Sequence, residues 1–346
     1  MTTFTFGEYL ILGAASLLAV GLLTPIMRIL ARRIKAFDVP SESHKTHLNP
    51  VPYFGGIAIS MGVVVVTFTS SLISRYDEEV FILAAGVLVP AILMGIVGLV
   101  DDIRKLNPWP RFITQTFFGI LISGILVSTS TLGSPTENRL LDIAITTFWI
   151  VGITNSINFF DNIDGGASGT IGIVSLALFI LALQGNQFLI ASLSIVLAGA
   201  TIGFLLWNKP PARIYMGDAG SLFLGILVAS LTIRLDPSPI DRVAGFAIPI
   251  ILLAIPILDT SVAVISRLQR GISPFQGGRD HLSHRLMREG FNKRQAVLIL
   301  WIGTFLSSLV AITISNVSYA VERPITIAYF GLWAFLFFWF LGTKSE

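Results

Sequence analysis

Five aspartates stand where long hydrophobic segments end: Asp101 and Asp102, Asp161 and Asp164, and Asp218. A carboxylate at the edge of such a stretch is costly unless a metal ion or a phosphate-bearing ligand offsets it. Asp101 and Asp102 are adjacent, and adjacent helical residues diverge by about 100°, so the two can serve different partners. Asn155 and Asn158 are three apart and Asp161 continues their helical face. Together they offer oxygen ligands for a hard cation. The stripe then breaks into the glycine-rich turn Gly165-Gly166, where backbone N–H groups at a helix start favour anions. Asp218, flanked by Gly217 and Gly220, heads another apolar segment, as a helix cap or as a ligand. Arg279, His281, His284 and Arg285 form a dense patch able to grip a pyrophosphate and to exchange protons near neutral pH. Zinc is the weaker reading of His281 and His284, because no third soft ligand is near them and the chain has no cysteine. In the first loop, Lys45 and His47 would join the same anion site or touch lipid headgroups. Asp259, just after Pro256, is a buried carboxylate in need of a partner, either a loop arginine or a catalytic role.

The elements that must hold these groups are membrane spans. The chain has 346 residues, 53% hydrophobic and 12% charged, with a mean hydropathy of +0.80. That is too apolar for a wetted globular enzyme. Apolar runs of roughly 17 to 25 residues cross a bilayer as helices, the only open-ended structure that satisfies its own backbone in lipid. The pattern predicts an all-α polytopic protein with about eleven spans: 8–27, 56–74, 80–100, 112–132, 141–158, 168–184, 188–206, 219–235, 243–265, 295–315 and 324–341. No repeat or second domain is visible, so residues 1–346 read as one membrane-embedded unit. The first span lacks a basic lead and a cleavage site and reads as a retained helix.

Of the 23 Lys and Arg residues, eighteen fall in one set of alternate loops and five in the other. Basic residues are retained in the cytoplasm, which puts the N-terminus outside and the C-terminus inside a plasma (inner) membrane. All five aspartates and all four histidines are then cytoplasmic. Loops 28–55, 101–111, 158–167, 207–218 and 266–294 make the active-site face. The basic asymmetry suits headgroups and anionic ligands; no basic stripe with interleaved aromatics points to nucleic acid. The lack of cysteine also rules out thiol catalysis.

Four motifs in order carry a resemblance: Asp101-Asp102, Asn-x-x-Asn-x-x-Asp-x-x-Asp-Gly from Asn155 to Gly165, Tyr-Met-Gly-Asp-x-Gly-Ser from Tyr215 to Ser221, and Asp-His-x-x-His-Arg-Leu from Asp280 to Leu286. Jointly they resemble the polyprenyl-phosphate N-acetylhexosamine-1-phosphate transferases. The resemblance implies transfer of an N-acetylhexosamine 1-phosphate, GlcNAc-1-phosphate first, from a UDP-sugar to undecaprenyl phosphate. UMP is released and Mg2+, or Mn2+ in its place, is the cofactor.

By that resemblance Asp218 and Asn158 hold the metal and Asp101 and Asp102 form the acceptor-side acidic pair. Arg111 neutralises phosphate, Asp164 reads the uracil beside Tyr215, and Arg279, His281 and His284 grip the donor. Lys45 and His47 match the family's first-loop pair. Asp101, Asp102, Asp218 and His281 are the candidate catalytic groups; Asn155 and Asp161 join the substrate-binding set.

The chain departs from the pattern at Asn162, Gly166 and Ser283, the last within a motif that often bears three histidines. The consecutive histidines that accompany phospho-MurNAc-pentapeptide transfer are absent, which favours a simple UDP-N-acetylhexosamine. That transferase and, from another class, a membrane transporter are the alternatives. A transporter would hold its acids near the midplane. Membrane lipids are expected partners, and a homodimer is compatible with the sequence.

Overall fold

The computed structural model describes residues 4–38, 50–74, 78–129, 136–236 and 242–343. In chain order the elements are α1 (Phe6–Arg33), β1 (Phe37–Asp38), β2 (Val51–Pro52), α2 (Gly55–Ser74), α3 (Glu78–Arg104), α4 (Pro108–Ser128), α5 (Arg139–Phe160), α6 (Gly166–Gln184) and α7 (Phe188–Asn208). There follow α8 (Gly217–Ile233), α9 (Arg242–Leu252), α10 (Ala254–Gln269), α11 (Leu282–Arg288), α12 (Lys293–Ile314) and α13 (Tyr319–Gly342). The protein is an all-α, multi-pass membrane protein: among the described residues, nine helices are long and apolar enough to cross a bilayer. Exposed leucine, isoleucine and phenylalanine side chains such as Leu22, Phe117, Phe148 and Phe338 cover its flanks.

Two expected spans differ in form. The stretch 243–265 is not one helix but the pair α9 and α10, bent by 73°. Pro256 has no N–H to donate to the carbonyl of Leu252 and its ring crowds that carbonyl, so the helix breaks at Leu253. The stretch 219–235 is α8, 17 residues long and beginning at Gly217, with every residue from Ala219 to Thr232 buried. Its apolar character meets neighbouring helices and not lipid. The first long loop also contains a short antiparallel ribbon, with Phe37 opposite Pro52 and Asp38 opposite Val51. The loop before α12 contains the seven-residue helix α11, about two turns long, which the apolar pattern does not signal.

α8 is the axis on which the site is built, with α2, α3 and α5 packed around its first turns. Gly98 of α3 lies against the backbone of Asp218: a Cβ at Gly98 would stand 2.3 Å from the Asp218 carbonyl oxygen. Only glycine lets the end of α3 come that close. The backbone of the loop after α7 is stitched to the start of α2, since Tyr215 N–H donates to Pro52 O (2.9 Å) and Gly55 N–H to Tyr215 O (3.0 Å).

Gly98→Ala is therefore expected to lower stability by about 1–3 kcal/mol, the usual range for overpacking a well-packed contact. Gly331→Ala, with nothing within 4 Å of the added carbon, is expected to be neutral or slightly stabilising. Thermal unfolding of the detergent-purified variants distinguishes the two.

Candidate active site

The ends of α3 and α5, the starts of α4, α8 and α12, and the loop before α11 enclose a cavity of about 690 Å³. All five aspartates line it, with Arg111, Asn158, Tyr215, His281 and His284. Asn155 and Arg279 do not. Asn155 donates to Val151 O in its own helix (2.8 Å), one turn back from the cavity. Lys45 and His47 lie outside the described residues.

Asp102 caps α8. Its Oδ1 accepts from Asp218 N–H (2.9 Å) and its Oδ2 from Ala219 N–H (3.1 Å), two of the donors that a helix start leaves unpaired. Asp218 is thus not the cap, as its position at the segment's head allowed; it lies one residue inside the helix. Its carboxylate points into the cavity, with Oδ2 accepting from Arg111 Nη1 (2.7 Å) and Oδ1 from Asn158 Nδ2 (2.7 Å). Arg111 Nη1 also donates to Asp101 Oδ2 (2.8 Å), so one guanidinium joins two acids. Asp101 Oδ1 accepts from Leu106 N–H (2.7 Å), fixing the turn that brings α4 and Arg111 back.

Asp161 lies at the C-terminal cap of α5, and its carboxylate lines the cavity with no hydrogen bond or ion pair among the described residues. Burial, with Asp218, Asp102 and Asp164 nearby, holds its carboxyl well above the ordinary carboxylate range. That is an excess of negative charge on oxygen ligands, the surroundings a divalent hard cation would relieve. Asn158 gives its amide nitrogen to Asp218 and Ser221, and its Oδ1 carries no hydrogen bond among the described residues. Among the described residues no three carboxylates or imidazoles converge into a metal cage. The donor set still fits Mg2+, which typically takes one or two carboxylates and completes its shell with water and substrate phosphate.

Across the cavity, Asp164 accepts from Ala212 N–H (2.9 Å) and pairs with Lys293 Nζ (2.7 Å) at the start of α12. The Tyr215 hydroxyl hydrogen-bonds Asp164, and burial beside that acid raises its pKa. Lys293 is a site residue that no spacing signals: it lies far along the chain, and α12 begins there because Asn292 and Gln295 form a capping box.

The two histidines divide. His281 Nδ1 lies 2.7 Å from Asp259 Oδ2, and Arg267 Nη2 lies 3.2 Å from His281 Nε2. Arginine can only donate, so Nε2 is the acceptor and the ring proton is on Nδ1, held by Asp259. Asp259 also takes the N–H of Leu282 (2.7 Å), so its partner is the His281 segment and not the loop arginine that is one of the two readings of it. The His284 ring makes no hydrogen bond among the described residues and lines the cavity. Burial, then the neighbouring His281, pushes its pKa down to about 4. Arg285 faces away from the cavity: it donates to the carbonyls of Asp280, Phe340 and Thr343, capping the end of α13.

Residues 84–236 match the model of glycosyl transferase family 4. The chain is 35% identical over 308 residues to the probable undecaprenyl-phosphate N-acetylglucosaminyl 1-phosphate transferase of Bacillus subtilis, covering 87% of this chain and 83% of the relative. It is 30% identical over 328 residues to the decaprenyl-phosphate N-acetylglucosaminephosphotransferase of Mycobacterium tuberculosis, covering 86% and 80%. A phospho-N-acetylmuramoyl-pentapeptide-transferase of Streptococcus uberis is 30% identical over 243 residues, 65% of this chain and 72% of the relative.

Two outcomes follow from the geometry. Asp102→Ala strands two buried N–H donors and is expected to cost about 1–3 kcal/mol, with Asp102→Asn, which keeps one acceptor, costing less; thermal unfolding checks the order. His284 binds its proton less readily folded than at its ordinary value of 6.5. Its contribution to stability is present above that value and is lost as pH falls toward 4. His284→Gln is expected to flatten the stability–pH curve over that interval.

Proposed function

The chain belongs to glycosyl transferase family 4, and on that premise we propose that it transfers an N-acetylhexosamine 1-phosphate from a UDP-sugar to undecaprenyl phosphate. UMP is released and a cell-envelope glycan is begun. The observation that carries this reading is the cavity itself. Four carboxylates, Asp101, Asp102, Asp161 and Asp218, crowd one side with a single guanidinium among them, while Lys293 and His284 stand on the others. Such a wall suits the meeting of two phosphates and a divalent cation. Its location at helix ends, away from the midplane, supports a transferase over a transporter. The relatives' names support a polyprenyl phosphate as acceptor and GlcNAc-1-phosphate as the transferred group. The loop count, which puts eighteen of the 23 basic residues in the set of loops that holds the five aspartates, supports a cytoplasmic site in the plasma membrane.

An oxygen of the acceptor phosphate attacks the donor's β-phosphorus. A P–O bond forms there, the anhydride bond breaks, and the bridging oxygen leaves with UMP. A phosphate monoester is largely ionised near neutral pH, its second pKa being about 6, so no general base is needed to create the nucleophile. Arg111, already shared between Asp101 and Asp218, turns its remaining N–H groups to the acceptor phosphate and offsets the repulsion of two anions. Asp164 and Tyr215 receive the uracil, with Lys293 fixing the Asp164 carboxylate. His284, neutral at working pH, donates or accepts a hydrogen bond at the sugar phosphate without adding charge. Mg2+, or Mn2+ in its place, would be held by Asp218 and Asn158 with Asp161 beside them, and when bound supplies neutralisation of charge developing on the leaving phosphate.

Purified protein in detergent, given undecaprenyl phosphate and UDP-GlcNAc, is expected to release UMP only with Mg2+ present. Asp218→Ala and Asp161→Asn are expected to lower that rate by about a hundredfold or more. Wild-type turnover in Asp218→Ala would overturn the assignment. In a panel of UDP-sugars UDP-GlcNAc is expected to be fastest, and a faster UDP-GalNAc would reassign the donor.

A further inference from the structure

On the outer flank of the bundle, α1 and α7 enclose a second concavity, a groove of about 260 Å³ lined by Leu17, Leu18, Gly21, Leu22, Leu206, Trp207 and Arg213. Leu18, Leu22 and Leu206 are each more than half exposed on membrane-spanning helices, so the groove opens sideways to the hydrocarbon. Trp207 is pinned across its floor, Nε1–H donating to Gly21 O (3.0 Å). At its polar end the Arg213 guanidinium lies over the Trp207 ring, 5.9 Å from the centroid, and Arg28 Nε–H donates to the Arg213 carbonyl (3.0 Å). Arg28 lies two turns beyond Gly21, about 10 Å along the helix.

Arg32 and Arg213 each stand close enough to Arg28 to repel its charge. Among the described residues none of the three pairs with a carboxylate. Arg28 and Arg213, without a carboxylate partner among the described residues at the mouth of an apolar, lipid-facing groove, lack a ligand with a fixed negative charge and a hydrocarbon tail. We propose that this groove is a binding site for an anionic diacyl phospholipid of the bilayer, its phosphate between Arg28 and Arg213 and one acyl chain along Leu18, Gly21 and Leu22. The occupant is a bilayer lipid and not the polyprenyl phosphate acceptor, because no residue lining the groove lines the carboxylate cavity.

The site abuts the catalytic loop. Arg213 follows Ala212, whose N–H is held by Asp164 (2.9 Å), and precedes Ile214, whose carbonyl is held by Asn208 (3.0 Å). A phosphate between the arginines removes the repulsion that otherwise presses on this loop and so stiffens the wall that carries Tyr215.

Native mass spectrometry of the full chain, released from nanodiscs of phosphatidylcholine and phosphatidylglycerol in equal parts, tests the site without any use of catalysis. The wild type is expected to retain phosphatidylglycerol in preference. R28Q/R213Q is expected to lose that retention by at least about tenfold, since each basic side chain at an anionic surface contributes about a fivefold preference. R28K/R213K is expected to keep most of it. Thermal stability of the wild type, but not of R28Q/R213Q, is expected to rise when phosphatidylglycerol is added. Equal retention by wild type and R28Q/R213Q overturns the proposal. So does retention of undecaprenyl phosphate, in place of phosphatidylglycerol, that is lost in the same variant. If R28Q/R213Q does not purify, salt decides on the wild type alone: retention that falls with ionic strength supports the site, and retention indifferent to salt overturns it.

Discussion

The site depends on one carboxylate closing one helix. A helix start leaves backbone donors unpaired and carries partial positive charge, and α8 begins at the wall of the cavity and is buried from Ala219 onward. Asp102 meets both needs, taking the N–H groups of Asp218 and Ala219. For that contact α3 must run against α8 without a side chain between them, which Gly98 allows. Gly217 must also hold a φ of +69°, where an added Cβ would stand 2.5 Å from Asp102 Oδ2. With its backbone satisfied by Asp102, Asp218 needs no capping role and is free to turn its own carboxylate to Arg111 and Asn158. An acid pair that looks redundant in the sequence is therefore divided by geometry: Asp101 orients Arg111, and Asp102 orients Asp218.

The charge left over is as informative as the charge that is paired. Arg111 serves two acids and Lys293 a third, while Asp102 is compensated by backbone donors alone. Asp161 has neither, although three further aspartates surround it. A protein built for stability alone would not keep such a group near the membrane boundary. Under the proposed function a ligand that carries positive charge, or brings a cation with it, would complete the arrangement. That proposal would give Asp161, whose task the sequence does not disclose, a place beside Asp218 on the cation side of the cavity.

Much of this was legible in the sequence, and the limits have physical reasons. Hydropathy locates the spans because lipid imposes one requirement on every helix, and that is why the five aspartates could be assigned to a single membrane face. It cannot tell α8, sheathed in protein, from a helix sheathed in lipid, since both surroundings are apolar. The break at Leu253 is missed in the span read as 243–265, because a proline in a span, here Pro256, does not announce whether it is tolerated, kinks or breaks the helix. Lys293 and Arg267 were invisible as site residues because their partners, Asp164 and His281, are distant in the chain or reached only through a folded loop. Asn155 shows the reverse error: helical spacing put it on the right face, but one turn of rise removes it from the cavity.

Asn162 and Ser283, two positions at which the chain departs from the pattern it resembles, meet in the fold. The Ser283 hydroxyl donates to Asn162 Oδ1, while Asn162 Nδ2 donates to Phe159 O (2.8 Å) and reaches toward Asp259. A glycine at the first position could make none of these bonds. The turn after α5 is thereby tied to the segment carrying His281, whose ring is itself clamped between Asp259 and Arg267. With both nitrogens committed, His281 acts as a strut that aims Arg267 and the loop above it, and the imidazole we propose to meet substrate is His284. Its neutrality suits that position: a cation there would compete with Arg111 for the phosphates, whereas a neutral ring can hold an oxygen without drawing the donor away from the carboxylate wall.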